Sequence, residues 1–121
     1  MPRHCFVVMT DPVPGREREF DDWYRDRHLP DVLGLEGFAA AQRFAFAPVG
    51  RWLEAPHRHL ALYEVEGDLD AAAGALERAL DASRRAERAG LPPRMSSSSA
   101  LAPARSAWWF SAIDERQLAA G

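Results

Sequence analysis

Apolar residues recur along this chain at two spacings, and the switches between them mark out the elements. In HCFVVMT, His4 to Thr10, β-branched and aromatic residues run together before the prolines and glycine of DPVPG, which predicts a strand and then a turn. From Arg16 the period lengthens. Phe20, Trp23, Tyr24 and Arg27 stand at i, i+3, i+4 and i+7, one face of a helix whose Glu17, Arg18, Asp21 and Asp22 are left to water. Pro30 disfavours helical geometry at Leu29, so the helix is expected to weaken near His28 and loosen into a turn through DVLGLEG.

Period two returns in GFAAAQRFAFA, Gly37 to Ala47, where Phe38, Gln42, Phe44 and Phe46 alternate with small residues; this predicts a second strand with one large and one small face. A proline- and glycine-containing loop precedes HRHLALYEVEG, His57 to Gly67, in which Leu60, Leu62 and Glu64 face one way and His59, Ala61, Tyr63 and Val65 the other. Asp68 is placed to cap a helix with an apolar stripe of Leu69, Ala72, Leu76 and Leu80, stopped at Gly90. The Ser/Pro-rich stretch at about 92–103 offers little to bury and is expected to be a mobile loop. RSAWWFSAI, Arg105 to Ile113, closes the series as a strand whose adjacent Trp108 and Trp109 must point to opposite faces.

The order strand, helix, strand, strand, helix, strand predicts an α+β chain, 1–121, folded as one ferredoxin-like βαββαβ domain with a four-stranded antiparallel sheet. Both sheet faces read as apolar. Helices cover one, and a second copy of the sheet is the simplest cover for the other, so a homodimer is expected.

Charge narrows the partners. The fifteen basic residues are interleaved with eighteen acidic ones, giving a net charge of −3, so no nucleic acid is expected. No run approaches a membrane span, which argues for no membrane partner. MPRHCFVV leads into a strand rather than a signal-peptide core, and the single cysteine, Cys5, suits a reducing compartment; a cytoplasmic protein is expected.

WYRDRHLPDVLGLEGFAAAQRF contains a Trp-Tyr pair (Trp23, Tyr24), then His28-Leu29-Pro30, Gly37-Phe38 entering a strand, and Arg43-Phe44 within it. This stretch resembles the signature of the EthD-like group in the dimeric α/β-barrel superfamily. The resemblance is strong over about residues 20–46, extends by strand order over most of the chain, and finds nothing specific from Pro92 onward. It implies a dimer of sheets with a small-molecule pocket between helices and sheet in each subunit. Relatives in that superfamily include polyketide cyclases, lyases, cofactor-free monooxygenases, haem-degrading enzymes and proteins of no known activity.

His28 is the strongest chemical candidate, since an imidazole at a helix end facing a cavity exchanges protons near neutrality. Capping the helix or bonding the turn before Pro30 would explain it equally well. Tyr24, four residues earlier, is its helical neighbour and can hold a substrate carbonyl. Arg43, among alanines, needs an anionic partner: an enolate, or one of Asp22, Asp31 and Glu64. His59 and Tyr63, on one face of the third strand, and Trp109, as an aromatic wall, are expected to bind substrate, while Trp23 is assigned to packing. His57 and His59 lack an acidic triad, so no metal is expected, and no nucleotide-binding motif calls for a cofactor. The activity expected is that of a cofactor-independent cyclase, lyase or isomerase removing a proton beside a carbonyl of an aromatic or polyketide-like substrate in secondary metabolism. The alternatives are a non-catalytic small-molecule-binding or accessory dimer and a cofactor-free monooxygenase.

Overall fold

The first and third strands take the centre of the sheet. In the computed structural model, which describes residues 3–121, β1 (Arg3–Thr10) pairs antiparallel with β3 (His59–Glu66), setting Phe6 opposite Tyr63 and Val8 opposite Ala61. β2 (Phe38–Ala45) and β4 (Ser106–Ser111) form the edges, giving the order β2–β3–β1–β4 with every neighbouring pair antiparallel. This is the expected α+β, ferredoxin-like arrangement.

One sheet face is covered. Phe6, Val8, Tyr63, Val65 and Trp109 pack toward Phe20 and Tyr24 of the first helical segment and toward Ala72 and Leu76 of α3 (Leu69–Arg88). Asp68 caps α3 by accepting from the backbone N–H groups of Asp70 and Ala71, a contact of about 1 kcal/mol. Register places Cys5, Val7, Met9, Leu60, Leu62, Phe44, Trp108 and Phe110 on the opposite face, and Phe44, Trp108 and Phe110 remain exposed there.

β2 departs from the simple alternation. A register shift between Phe38 and Ala40 leaves Ala39 unpaired, so Phe38 aligns with Val65 in the core while Phe44 aligns with Leu60 on the open face. A bulge of one residue inverts the side on which all later side chains stand. The phenylalanines therefore do not share a face as their spacing implied, and Arg43 is delivered under the helices opposite Ala61.

The first helix also runs on where a loosening was expected. α1 (Glu17–Trp23) passes into a π-helical turn (Tyr24–His28) and then α2 (Leu29–Leu33), with the Leu29 N–H donating to the Tyr24 carbonyl. Pro30 has no N–H and its ring would strike a carbonyl of a regular turn before it; a five-residue turn displaces those carbonyls and lets the helix continue. Residues 92–103, the stretch expected to be loose, are tied down at several points. Met95 donates its N–H to Ser83 Oγ at 3.1 Å, Val13 donates to the Ala100 carbonyl at 2.7 Å, and Met95 and Ala100 are buried.

Candidate functional site

The wide turn sets His28 over two aromatic rings at once. Its imidazole stacks on Trp23 at 4.6 Å between centroids with 24° between planes, and meets the edge of Tyr24 at 5.1 Å. In a regular helix a residue faces its neighbours three and four before it; the extra residue brings the fifth, Trp23, into contact too.

These three side chains line a cavity of about 180 Å3. β1 contributes Val8 and Thr10 to it, α3 contributes Leu80 and Ser83, and the segment after α3 contributes Met95 and Ser96. Arg105, just before β4, borders it as well. Buried polar atoms nearly always find partners. Among the described residues three side-chain atoms do not, His28 Nδ1, Ser96 Oγ and Tyr63 Oη, and the first two belong to residues of this cavity. The absence of a partner at Nδ1 removes the readings in which that nitrogen bonds the helix end or the turn before Pro30. A larger concavity of about 770 Å3 runs along the outside of α1, but it is open, lined by exposed ion-pairing residues such as Arg16 and Glu19, and touches only Trp23 of the aromatic group.

Burial governs the charges. His28 is pushed down to about 4, chiefly because removal from water disfavours the imidazolium and secondarily because the Arg105 cation is near. The ring is therefore neutral at physiological pH. Burial raises the Tyr24 phenol, against the opposing pull of a hydrogen bond with Thr10 and the charges of Arg43 and Arg105. Trp23 does more than pack: its indole N–H donates to the Ser96 carbonyl at 3.3 Å, holding the segment that closes the cavity.

Arg43 reaches the other side of Tyr24. Its guanidinium carbon lies 4.8 Å from the Tyr24 ring centre and 5.4 Å from that of Phe20, and Nη2 bonds Asp21 Oδ1 at 2.7 Å. The partner is thus Asp21, not Asp22, Asp31 or Glu64; the bulge in β2 turns Arg43 toward the helix, and Glu64 stands on the open face. His59 packs on Phe20 at 5.0 Å, with burial and then Arg43 lowering its pKa. Tyr63 is buried beneath Phe6 and Phe38, and burial drives its phenol pKa upward. Trp109 stacks on Phe6 at 4.1 Å. His28 and Tyr24 meet at the cavity, with Arg43 behind the tyrosine; His59, Tyr63 and Trp109 do not line it.

Similarity in sequence offers no guide: no family model matches the chain and no curated protein is similar to it. Similarity in structure does. The chain superposes on the crystal structure of an ethyl tert-butyl ether (EthD) family protein from Bacillus halodurans with a TM-score of 0.51 and 12% identity, over 89% of this chain and 97% of that one. The fold is EthD-like.

Within this EthD-like fold, Thr10, Ser96 and Arg105 are among the cavity residues that the sequence did not point to. Thr10 ends β1 on the same face as Phe6 and Val8, so alternation alone identifies its side. Ser96 and Arg105 had no such signal, because they border the cavity through a segment without period. Among the described residues, no helix is long and apolar enough to cross a membrane.

Proposed function

We propose that the chain is a cofactor-independent acid–base enzyme that removes a proton beside the carbonyl of a small aromatic or polyketide-like compound. The observation that carries this reading is the unpartnered, buried Nδ1 of a neutral His28 in a cavity shared with Tyr24. A neutral imidazole with a free lone pair is a proton acceptor. As the proton moves, an enolate forms beside the ring, and its negative charge favours the imidazolium that burial alone disfavours. The Tyr24 hydroxyl, next to Thr10, orients the carbonyl, and Arg105 supplies positive charge toward the developing oxyanion. Arg43 acts behind them by fixing the Tyr24 ring.

At about 180 Å3 the cavity falls below the ~300–1,000 Å3 of sites for drug-sized ligands, so a compound of one or two rings fits the reading best. Cyclase, lyase and isomerase chemistry all begin with this step, and attack of the carbanion on oxygen would make a monooxygenase. The open sheet face, with Phe44, Trp108 and Phe110 exposed, supports assembly as a homodimer through that face. Secondary metabolism and the cytoplasm are the setting this chemistry and the lone Cys5 suit.

A binding dimer without turnover is the second reading, favoured by the low basicity of His28, which departs from the near-neutral value suited to a general base. The test is exchange of the α-protons of 2-tetralone and acetophenone in deuterium oxide, followed by proton NMR. Exchange at least tenfold faster than with His28→Asn supports the enzyme. Line broadening of either ketone without faster exchange supports the binder. If neither ketone broadens nor exchanges, this ligand class is wrong.

A further inference from the structure

At the end of the sheet that also borders the cavity, three elements bring together an aspartate, a histidine and a serine that do not line it. Asp11 follows β1, His57 precedes β3, and Ser106 is the first residue of β4. Asp11 Oδ2 is 2.8 Å from His57 Nδ1, and His57 Nε2 is 3.2 Å from Ser106 Oγ. The other Asp11 oxygen accepts the Arg58 backbone N–H at 2.7 Å, which fixes the carboxylate in its plane. We propose that Asp11, His57 and Ser106 form a second catalytic site, an acyl-transfer triad that hydrolyses small uncharged esters.

The connectivity is the one that nucleophilic catalysis requires. A carboxylate accepting at Nδ1 fixes the tautomer with its proton there, leaving the Nε2 lone pair for the serine hydroxyl. The His57 side chain is 9% exposed and Asp11 28%, so the pair is partly shielded from water while Ser106 stands at the sheet margin. Asp11 stays ionised: although burial raises its pKa, hydrogen bonds from the Arg58 backbone and from His57 bring it below the ordinary carboxylate value. A fastening between strand ends would be served by any one of these bonds. The oriented chain of three, with the hydroxyl at its outer end, is what points to reaction.

In the reaction, Ser106 Oγ bonds to the ester carbonyl carbon as its proton passes to His57 Nε2. The bond to the alkoxide then breaks, and the alkoxide leaves as alcohol with that proton. Water, deprotonated by the same nitrogen, attacks the acyl-serine and releases the acid. Ser106 and His57 are catalytic residues here and Asp11 a positioning residue. Met9 stands opposite Ser106 and gives the acyl group of an ester an apolar neighbour at the end of the sheet. Ser106, opposite Met9, stands on the sheet face away from His28, while its chain neighbour Arg105 borders the cavity.

The experiment treats the full chain with a fluorophosphonate probe and reads intact mass and tryptic peptides, alongside hydrolysis of p-nitrophenyl acetate. One adduct on Ser106 is expected, absent in Ser106→Ala, with ester hydrolysis at least tenfold faster than in that variant. Asp11→Asn should slow labelling tenfold or more, and Asp11→Glu should restore part of it, at unchanged circular dichroism. Wild-type protein that takes no adduct, or hydrolyses the ester no faster than folded Ser106→Ala, overturns the proposal.

Discussion

His28 lies against Trp23, 4.6 Å between ring centres, with its Nδ1 buried and without a hydrogen-bond partner. Stacking on an indole and desolvation both hold the ring, and only desolvation affects its charge strongly. The group is held at about 4 in the folded chain against an ordinary 6.5. Between those values the unfolded chain binds a proton that the folded chain refuses.

Stability should therefore be complete above about pH 6.5 and fall as the pH drops toward 4, by on the order of 3 kcal/mol from this one group. Urea unfolding at pH 7 and pH 4.5 checks it. The wild type should lose about 2 kcal/mol more over that interval than His28→Phe, which keeps the stacking and cannot charge; equal losses would refute the assignment.

Arg43 joins Asp21 to the faces of Phe20 and Tyr24, and the planar guanidinium suits both contacts. Arg43→Ala should cost about 1–2 kcal/mol, and Arg43→Lys should recover less than half of it. Asp21, nearly half exposed, contributes less: Asp21→Asn should cost under about 1 kcal/mol. Thermal melts of the three variants decide this, and full recovery by lysine would show that charge alone matters.

Met95 plugs the end of the cavity from a segment with no regular structure, at 4% exposure. Met95→Ala should cost about 2–4 kcal/mol, as for a buried core residue, whereas Ser97→Ala, whose hydroxyl meets Glu87 at the surface, should stay within about 0.5 kcal/mol. Denaturant midpoints separate the two; a Met95→Ala change below about 0.5 kcal/mol would mean the segment carries none of the fold's stability.

The open sheet face predicts a change of assembly. Trp108→Glu or Phe44→Glu should shift the sedimentation coefficient from dimer to monomer, and Leu118→Glu, on an exposed residue near the C-terminus, should not. A wild-type chain that sediments as a monomer at 100 µM excludes the sheet-to-sheet dimer.

Strand β3 was legible because one of its faces lies under the helices, so alternation and burial coincide along it, and β1 was legible by its run of β-branched and aromatic residues. The end of the first helix was misread because Pro30 is read locally as a stop, while the wide turn that accommodates it depends on aromatic packing around Tyr24 and His28. Arg43 was read among alanines on the side away from Phe38, yet the bulge puts both under the helices, and its partner was missed: Asp21 and Asp22 are equally polar in sequence, and only the rotation of α1 against β2 chooses between them. The pairing of Tyr24 with His28 was visible at four-residue spacing. Ser96 and Arg105 were not, since a cavity wall built from irregular chain leaves no periodic trace, and the Asp11–His57–Ser106 cluster joins three positions separated by about fifty residues each.

The π-helical turn holds one residue more than the regular turn it replaces. Each residue of an ordinary helix is rotated by about 100° from the last, so deleting Asp26 would swing Phe20 and Tyr24 away from the sheet if Leu29–Leu33 stayed in place. Helix packing and the contact of His28 with Trp23 thus hang on the same residue count.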